Sequence, residues 1–331
     1  MVPKRYATEV QRRTGTLTEE VWSGKLRIHH ILCPVDFSEF SQRAFRYAAA
    51  LARHFQAHLF VQHTVPVSTS LFLEGADPRM IRDSLEASSH EAKREIGDMV
   101  REAGVEPSEA TVLVNEGDVR ELIQETITAQ KIDLLVMGTH GRKGFNRLML
   151  GSVAEHVVHE VICPVLVVSR PETEFVRLEE REPVLLQTIL VATDFSRNSD
   201  RALTHALRWA SEWSAKVILF HAVETAAPGM KGLIDLLPEY NPFFEKQVAE
   251  AWEKIRTQVP EAAQRRCEVA FEVCQGNAKD QILQFAAERK PDLIVMGSRG
   301  LGRSSLAWGS TISGVVRDGR FPVLAIRHLV D

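Results

Sequence analysis

Residues 31–38 read Ile31-Leu32-Cys33-Pro34-Val35-Asp36-Phe37-Ser38, and residues 189–196 read Ile189-Leu190-Val191-Ala192-Thr193-Asp194-Phe195-Ser196. A second pair follows: Asp133-Leu134-Leu135-Val136-Met137-Gly138 returns as Asp292-Leu293-Ile294-Val295-Met296-Gly297. The offset is 194 − 36 = 158 at the Asp, 221 − 63 = 158 at a His and 297 − 138 = 159 at the Gly. The chain therefore carries two copies of one unit in register. The period is too long for a solenoid, so each copy is large enough to close its own core.

Within each copy, short apolar runs alternate with longer helical patterns. The first copy has strand candidates at Ile28–Val35, His58–His63, Thr111–Val114, Leu134–Met137 and Val165–Val168. The second has them at Thr188–Ala192, Lys216–His221, Glu268–Val273, Leu293–Met296 and Val323–Ile326. These runs are rich in Val, Ile and Leu and mostly do not alternate with polar residues, which suits parallel strands covered on both faces. Helical segments fall between them: Phe40–Phe55, Ser84–Ala103, Val119–Gln130 and Val153–Val161, then Arg201–Trp213, Pro242–Gln258, Lys279–Glu288 and Thr311–Arg317. Such alternation implies βαβ crossovers and a doubly wound α/β sheet. The expected division is an N-terminal extension at 1–27, a first domain at 28–170, a charged, Pro-bounded linker at 171–186 and a second domain at 187–331.

The 331 residues suit two domains of ordinary size, with 44% hydrophobic and 25% charged residues and a net charge of −4. That balance argues against a general nucleic-acid binder. Cys33, Cys163, Cys267 and Cys274 form no CxxC and read as reduced packing residues of a cytoplasmic protein. No apolar stretch is long enough for a membrane span, and Met1 to Leu26 lacks the apolar region of a secretory signal. Thr16 and Glu19 in that extension have capping-box spacing, which leaves a short helix or an unstructured tail as alternatives.

Ligands of open α/β sheets sit beyond the C-terminal ends of strands. Strand one ends in Asp36-Phe37-Ser38, without the glycines of a dinucleotide-binding turn. No Walker A loop and no HExxH follow any strand. Strand four leads through Gly138-Thr139-His140-Gly141-Arg142-Lys143-Gly144 to Gly151-Ser152, where the next helix starts. Glycines permit close approach, and a helix start presents orphan N–H groups and the positive dipole end, so this stretch could cradle phosphate. Arg142, Lys143 and Arg147 add cations nearby. Against this stands a structural reading, in which Gly138 ends a strand, Ser152 is an ordinary N-cap and Asp36 caps the loop into the first helix. Recurrence of the spacing in both copies favours the functional reading.

The layout and motifs resemble the tandem form of the universal stress protein family. The resemblance covers about Ile28 to Arg170 and Gln187 to His328. It implies two tandem Rossmann-like or flavodoxin-like domains, each a mostly parallel five-stranded sheet with helices on both faces. ATP-binding members carry Gly, two residues, Gly, nine residues, then Gly with Ser or Thr; Gly138, Gly141, Gly151 and Ser152 match in full. By that analogy Asp36 and Thr64 hold adenine and ribose, and Gly138, Gly141, Gly151, Ser152 and Val153 surround the phosphates. Pro34, Val35 and Met137 join the ATP-binding set, with Mg2+ as a companion of the nucleotide. The resemblance further implies that the last strands of the two copies pair, and leaves open a homodimer and a protein partner.

The second copy departs from the pattern. Gly297, Gly300, Gly309 and Ser310 are present, but the Leu301–Trp308 loop is one residue short. Ala192 replaces Pro34, Thr193 replaces Val35, Ala222 replaces Thr64, and Thr311 follows Ser310; Asp194 is kept. One residue spans about 3.3–3.6 Å when extended, enough to displace an N–H from a phosphate. The expectation is that the first copy is the better nucleotide site. The expected function is a cytoplasmic stress-response regulator that binds adenine nucleotide. The alternatives are a slow ATPase or self-phosphorylating enzyme, with Ser152 and Ser310 as acceptors, and a nucleotide-free scaffold.

Three further clusters stand out in the sequence. His156, His159 and Cys163 share a helical spacing suited to zinc, but Pro164 ends the helix and the second copy has Gly314, Arg317 and Phe321 there. His63 and His221 end the two second strands, and read as core histidines with satisfied hydrogen bonds in preference to acid–base groups. The apolar segment Gly229–Phe244 reads as packing over its own domain or the other copy, in preference to a lid or partner surface.

Overall fold

A computed structural model describes residues 25–66, 77–139, 151, 153–154, 157, 161–169, 174–177, 184–224, 241–298, 309–318 and 320–327, with backbone only for 241–244. Its strands are β1 His30–Pro34, β2 His58–Val65, β3 Ala110–Glu116, β4 Leu134–Gly138 and β5 Val165–Val168, then β6 Thr188–Ala192, β7 Lys216–Val223, β8 Val269–Gln275, β9 Leu293–Gly297 and β10 Val323–Ile326. Its helices are α1 Glu39–Phe55, α2 Pro78–Glu102, α3 Val119–Ala129, α4 Arg197–Trp213, α5 Asn241–Gln258, α6 Glu261–Gln264, α7 Ala278–Arg289 and α8 Ser310–Asp318. None of the described helices is long and apolar enough to cross a membrane.

Local chemistry sets these bounds. Ser38 caps α1 by accepting the Ser41 N–H, and Ser196 caps α4 by accepting the Ser199 N–H. Gln56 and Ser214 close the same helices in the left-handed region, at φ 53° and 54°. α2 starts six residues before the expected Ser84, because Asp77 caps it and Pro78 occupies its first position. Asp118 caps α3; hydrogen bonding from the Arg120 side chain holds its carboxyl down to about 2. The single turn α6 was not expected from the sequence.

All ten strands form one sheet, in the order β3-β2-β1-β4-β5-β10-β9-β6-β7-β8. Each half is parallel, with the 3-2-1-4-5 Rossmann-like order in place of the flavodoxin order 2-1-3-4-5. The halves join where β10 runs antiparallel to β5, with Val323, Leu324 and Ala325 opposite Val167, Leu166 and Val165. This pairing removes two exposed sheet edges.

One core covers the α1 and α4 face and runs through both halves; the other covers the α3, α7 and α8 face. Ala154, Val157 and Val161 belong to the second core, on the helical spacing expected for that segment. The stretch read as a linker also joins the first core. Phe175 is fully buried with its ring edge-on to Tyr47 at 4.9 Å, and Val176 bridges Val184. The charges around this stretch flank apolar anchors. At the far ends of α1 and α4, His54 contacts Glu212 at 3.2 Å and stacks on Trp213 at 4.6 Å.

All four cysteines are free. Burial raises the Cys33 thiol far above its ordinary range, Cys163 to about 12 and Cys274 to about 11. Such thiols are protonated packing groups.

Candidate functional site at the strand-order reversal

In each half the strand order reverses between two neighbours, β1 and β4 in the first and β6 and β9 in the second. The chain leaves the C-terminal ends of those strands in opposite directions and opens a crevice there. Asp36 and Thr139 leave β1 and β4; Asp194 and Ser298 leave β6 and β9.

The Asp36 turn is built from local hydrogen bonds. Asp36 Oδ1 accepts from Ser38 N–H at 3.1 Å and from Ser38 Oγ at 2.6 Å, while Phe37 between them sits at φ 63°. Capping of the α1 entrance, the structural reading of Asp36, is therefore one of its roles. Asp194 repeats it, accepting the Ser196 N–H at 3.0 Å, with Phe195 at φ 62°. Thr193, in the place of Val35, adds a hydroxyl that accepts the Phe195 N–H at 3.0 Å and donates to Ser199 Oγ at 3.1 Å.

His63 and His221 hold these turns from behind. Nδ1 of His63 meets the Val35 carbonyl at 2.7 Å, and Nδ1 of His221 meets the Thr193 carbonyl at 2.8 Å. Their rings pack on Phe37 at 4.7 Å and Phe195 at 4.3 Å. A carbonyl partner requires Nδ1 to carry the proton, so each imidazole is a positioned structural donor. Burial and the Lys254 cation lower the His221 pKa, against the raising effects of Thr193 and Asp194. Lys254 also lies 4.2 Å over the Phe195 ring. The first copy carries Glu95 at that place, so the two turns differ in nearby charge.

The glycine turn has a steric cause on its strand side. A Cβ on Gly138 would lie 2.9 Å from the Phe40 backbone carbon and oxygen; one on Gly297 would lie 2.9 Å from the Asn198 backbone carbon. These glycines let the first turn of α1 or α4 press against the end of β4 or β9. The loop then returns to the strand: Gly151 N–H donates to the Thr139 carbonyl at 2.8 Å, and Gly309 N–H donates to the Ser298 carbonyl at 3.2 Å. Both halves thus close this loop by the same bond, although the second loop is one residue shorter. The shortening is confined between two ends that are held alike. Gly141, Ser152 and Gly300 lie outside the described residues, as do Arg142, Lys143 and Arg147. Ser310 opens α8 and is exposed, with Thr311 half-buried behind it.

Alternation along parallel strands puts Pro34, Thr64 and Met137 on one face of the sheet, the face that Val153 also covers. Gln62 belongs to the same set, in register with Pro34 and Leu113. Thr64 Oγ1 and both polar atoms of Gln62 are buried and make no hydrogen bond among the described residues. Each such group costs roughly 1–3 kcal/mol when left unmatched. A bound molecule with polar atoms on this face would remove that cost. The first copy thus has Asp36 at one strand end, the Gly151–Thr139 closure at the other, and unmatched donors and acceptors on this face. The same face of the second half carries Ala192, Phe220 and Ala222, and Phe220 packs on Phe285 at 5.1 Å. Gln62 was not singled out in the sequence. Its signal was a lone amide inside an apolar strand, opposite Phe in the repeat.

Other residues take structural places. Asp133 Oδ2 accepts the N–H groups of His29 and His30 at 2.7 and 3.0 Å, and Asp292 Oδ2 accepts those of Gln187 and Thr188 at 2.8 Å each. The repeated Asp therefore ties the start of strand four to the start of strand one. His156 and His159 of the suggested zinc cluster lie outside the described residues, and Cys163 is buried with a raised pKa. Residues 225–240, which hold most of the apolar segment Gly229–Phe244, also lie outside.

Comparison with known proteins agrees with this architecture. A universal stress protein of Methanocaldococcus jannaschii is 33% identical over 159 residues, 48% of this chain and 92% of its own length. One from Mycolicibacterium smegmatis is 24% identical over 303 residues, 90% of this chain and 96% of its own. The crystal structure of a universal stress protein from Archaeoglobus fulgidus superposes with a TM-score of 0.62 at 23% identity, covering 92% of this chain and 98% of that one. The sequence model of the Universal stress protein family matches twice, over residues 27–169 and 186–327. The chain therefore belongs to the universal stress protein family, in its tandem two-domain form.

Proposed function

We propose that the first domain binds an adenine nucleotide, ATP with its Mg2+, and that the protein acts as a nucleotide-responsive regulator in the cytoplasmic stress response. One observation carries this reading: in the first half, the strand-order reversal brings together Asp36, the Gly151–Thr139 closure of the glycine loop and a buried Thr64 hydroxyl without a partner among the described residues. Asp36 and Thr64 would take the sugar and base, and Pro34, Val35, Met137 and Val153 would supply apolar contact. The Gly151 amide is committed to Thr139, so phosphate falls to Gly141, Ser152 and the N–H groups that follow. The second domain keeps Asp194, Gly297, Gly300, Gly309 and Ser310, with Thr311 in the place of Val153. Its base-side positions, Thr193 aside, are the apolar Ala222 and Phe220, so its affinity is lower.

Calorimetric titration with MgATP tests this. Asp36→Asn retains an acceptor for the Ser38 turn but removes the charge. It is expected to weaken ATP binding at least tenfold, while Asp194→Asn changes the dominant site less than twofold. No heat from the wild-type protein at millimolar ATP overturns the nucleotide reading. A loss confined to Asp194→Asn reverses the order of the two domains.

A further inference from the structure

The amide of Gln62 has no function in the fold as it stands. Its side chain is 1% exposed, and neither Nε2 nor Oε1 has a hydrogen-bond partner among the described residues. Its backbone carbonyl accepts the Val35 N–H at 2.8 Å. The fold does not require an amide there: at the matching position of the second half, Phe220 fills the space and packs on Phe285. The two halves share strand register at this point, since Pro34 faces Gln62 and Ala192 faces Phe220. The difference between them is therefore chemical. The first half has a donor and an acceptor beneath the strand ends, two residues below Thr64 and on the same face; the second has a hydrocarbon surface.

We infer that Gln62 is a specificity-determining residue that reads the polar edge of a purine base bound in the first domain. This rests on the nucleotide reading above. A carboxamide offers one N–H donor and one carbonyl acceptor side by side. That pair matches an exocyclic 6-amino group next to a ring nitrogen, the edge of adenine. Binding would satisfy both atoms of Gln62 at once, and the Thr64 hydroxyl stands ready for a third polar contact. A base without an exocyclic group leaves the Gln62 carbonyl unmatched. Sites built around a hydrogen bond discriminate strongly against ligands that lack it.

The test compares ATP with purine riboside triphosphate, which lacks the 6-amino group, by calorimetry. The proteins are wild type, Gln62→Met, which keeps the length and removes the polarity, and Gln62→Leu as a second apolar variant. The wild type is expected to prefer ATP at least tenfold. Both variants are expected to bind the two ligands with nearly equal affinity and to melt no lower than the wild type. If the wild type binds ATP and the variants keep its preference, Gln62 is matched by buried water alone, and this inference falls while the nucleotide reading stands. If the wild type binds neither ligand, the nucleotide reading itself falls, and this inference with it.

Discussion

At the residue scale, the same position in two copies serves as its own control. Tyr47 of α1 and His205 of α4 occupy matching places, one aromatic against Phe175 and the other a titratable ring. Burial, then the charges of Arg208 and Arg201, push the His205 pKa down to about 4. The ordinary value is 6.5, so the unfolded chain takes the proton first as pH falls. Stability is therefore complete above pH 6.5 and drains away between 6.5 and 4, by at most about 3–4 kcal/mol at roughly 1.4 kcal/mol per pKa unit. His205→Gln, which cannot titrate, should flatten this acid limb. Urea unfolding at pH 7 and pH 4.5 measures it; equal losses in both proteins would assign the acid limb to other groups. Gln62 and Phe220 give the same kind of control for the candidate site. Their contrast was present in the sequence, yet its meaning was not. Only strand register and burial reveal that the amide is enclosed without a partner among the described residues.

At the element scale, strands were legible to within two residues at each end and helix starts less so. Runs such as Leu134–Met137 are buried on both faces, so uninterrupted hydrophobicity marks them directly. The first turns of α2 carry Arg79, Met80 and Arg82 on exposed positions, so the apolar period begins late, although Asp77-Pro78 announced the start. The glycine motif admits a phosphate and a structural reading, and at Gly138 the backbone of Phe40 gives the structural one a steric cause. This yields a separable prediction. Alanine at Gly138 or Gly297 meets backbone atoms that cannot swing aside, and each should cost about 1–3 kcal/mol. Gly138→Ala should also weaken ATP binding, because α1 and its Asp36 turn are pushed away from β4. Gly297→Ala should spare the first-domain site. Chemical denaturation and titration of the two variants check both effects; unchanged stability for Gly138→Ala would refute the close approach as the reason for that glycine.

At the scale of the whole molecule, the repeat in the sequence announced two domains but not how far they share a core. The charged run around residues 171–183 reads as a tether, yet Phe175, Val176, Val184 and Leu186 pack into the core that holds α1 and α4. Isolated apolar residues among charges give no periodic signal, so this anchoring had to come from the structure. The β5–β10 pairing makes the sheet continuous, and Leu166 and Leu324 face each other across it, both fully buried in that common core. The two halves should therefore unfold together. Leu324→Ala would open a cavity at the seam and cost about 2–5 kcal/mol. Because the seam belongs to both halves, the loss should be felt on both sides of it. Native-state hydrogen exchange reads this directly: amides of β1 and β4 in the first half and of β6 and β9 in the second should lose protection by the same free energy. Weakening limited to β6 and β9, with β1 and β4 unchanged, would mean that the halves are independent folding units joined by contact alone, and nucleotide bound in the first could not stabilise the second.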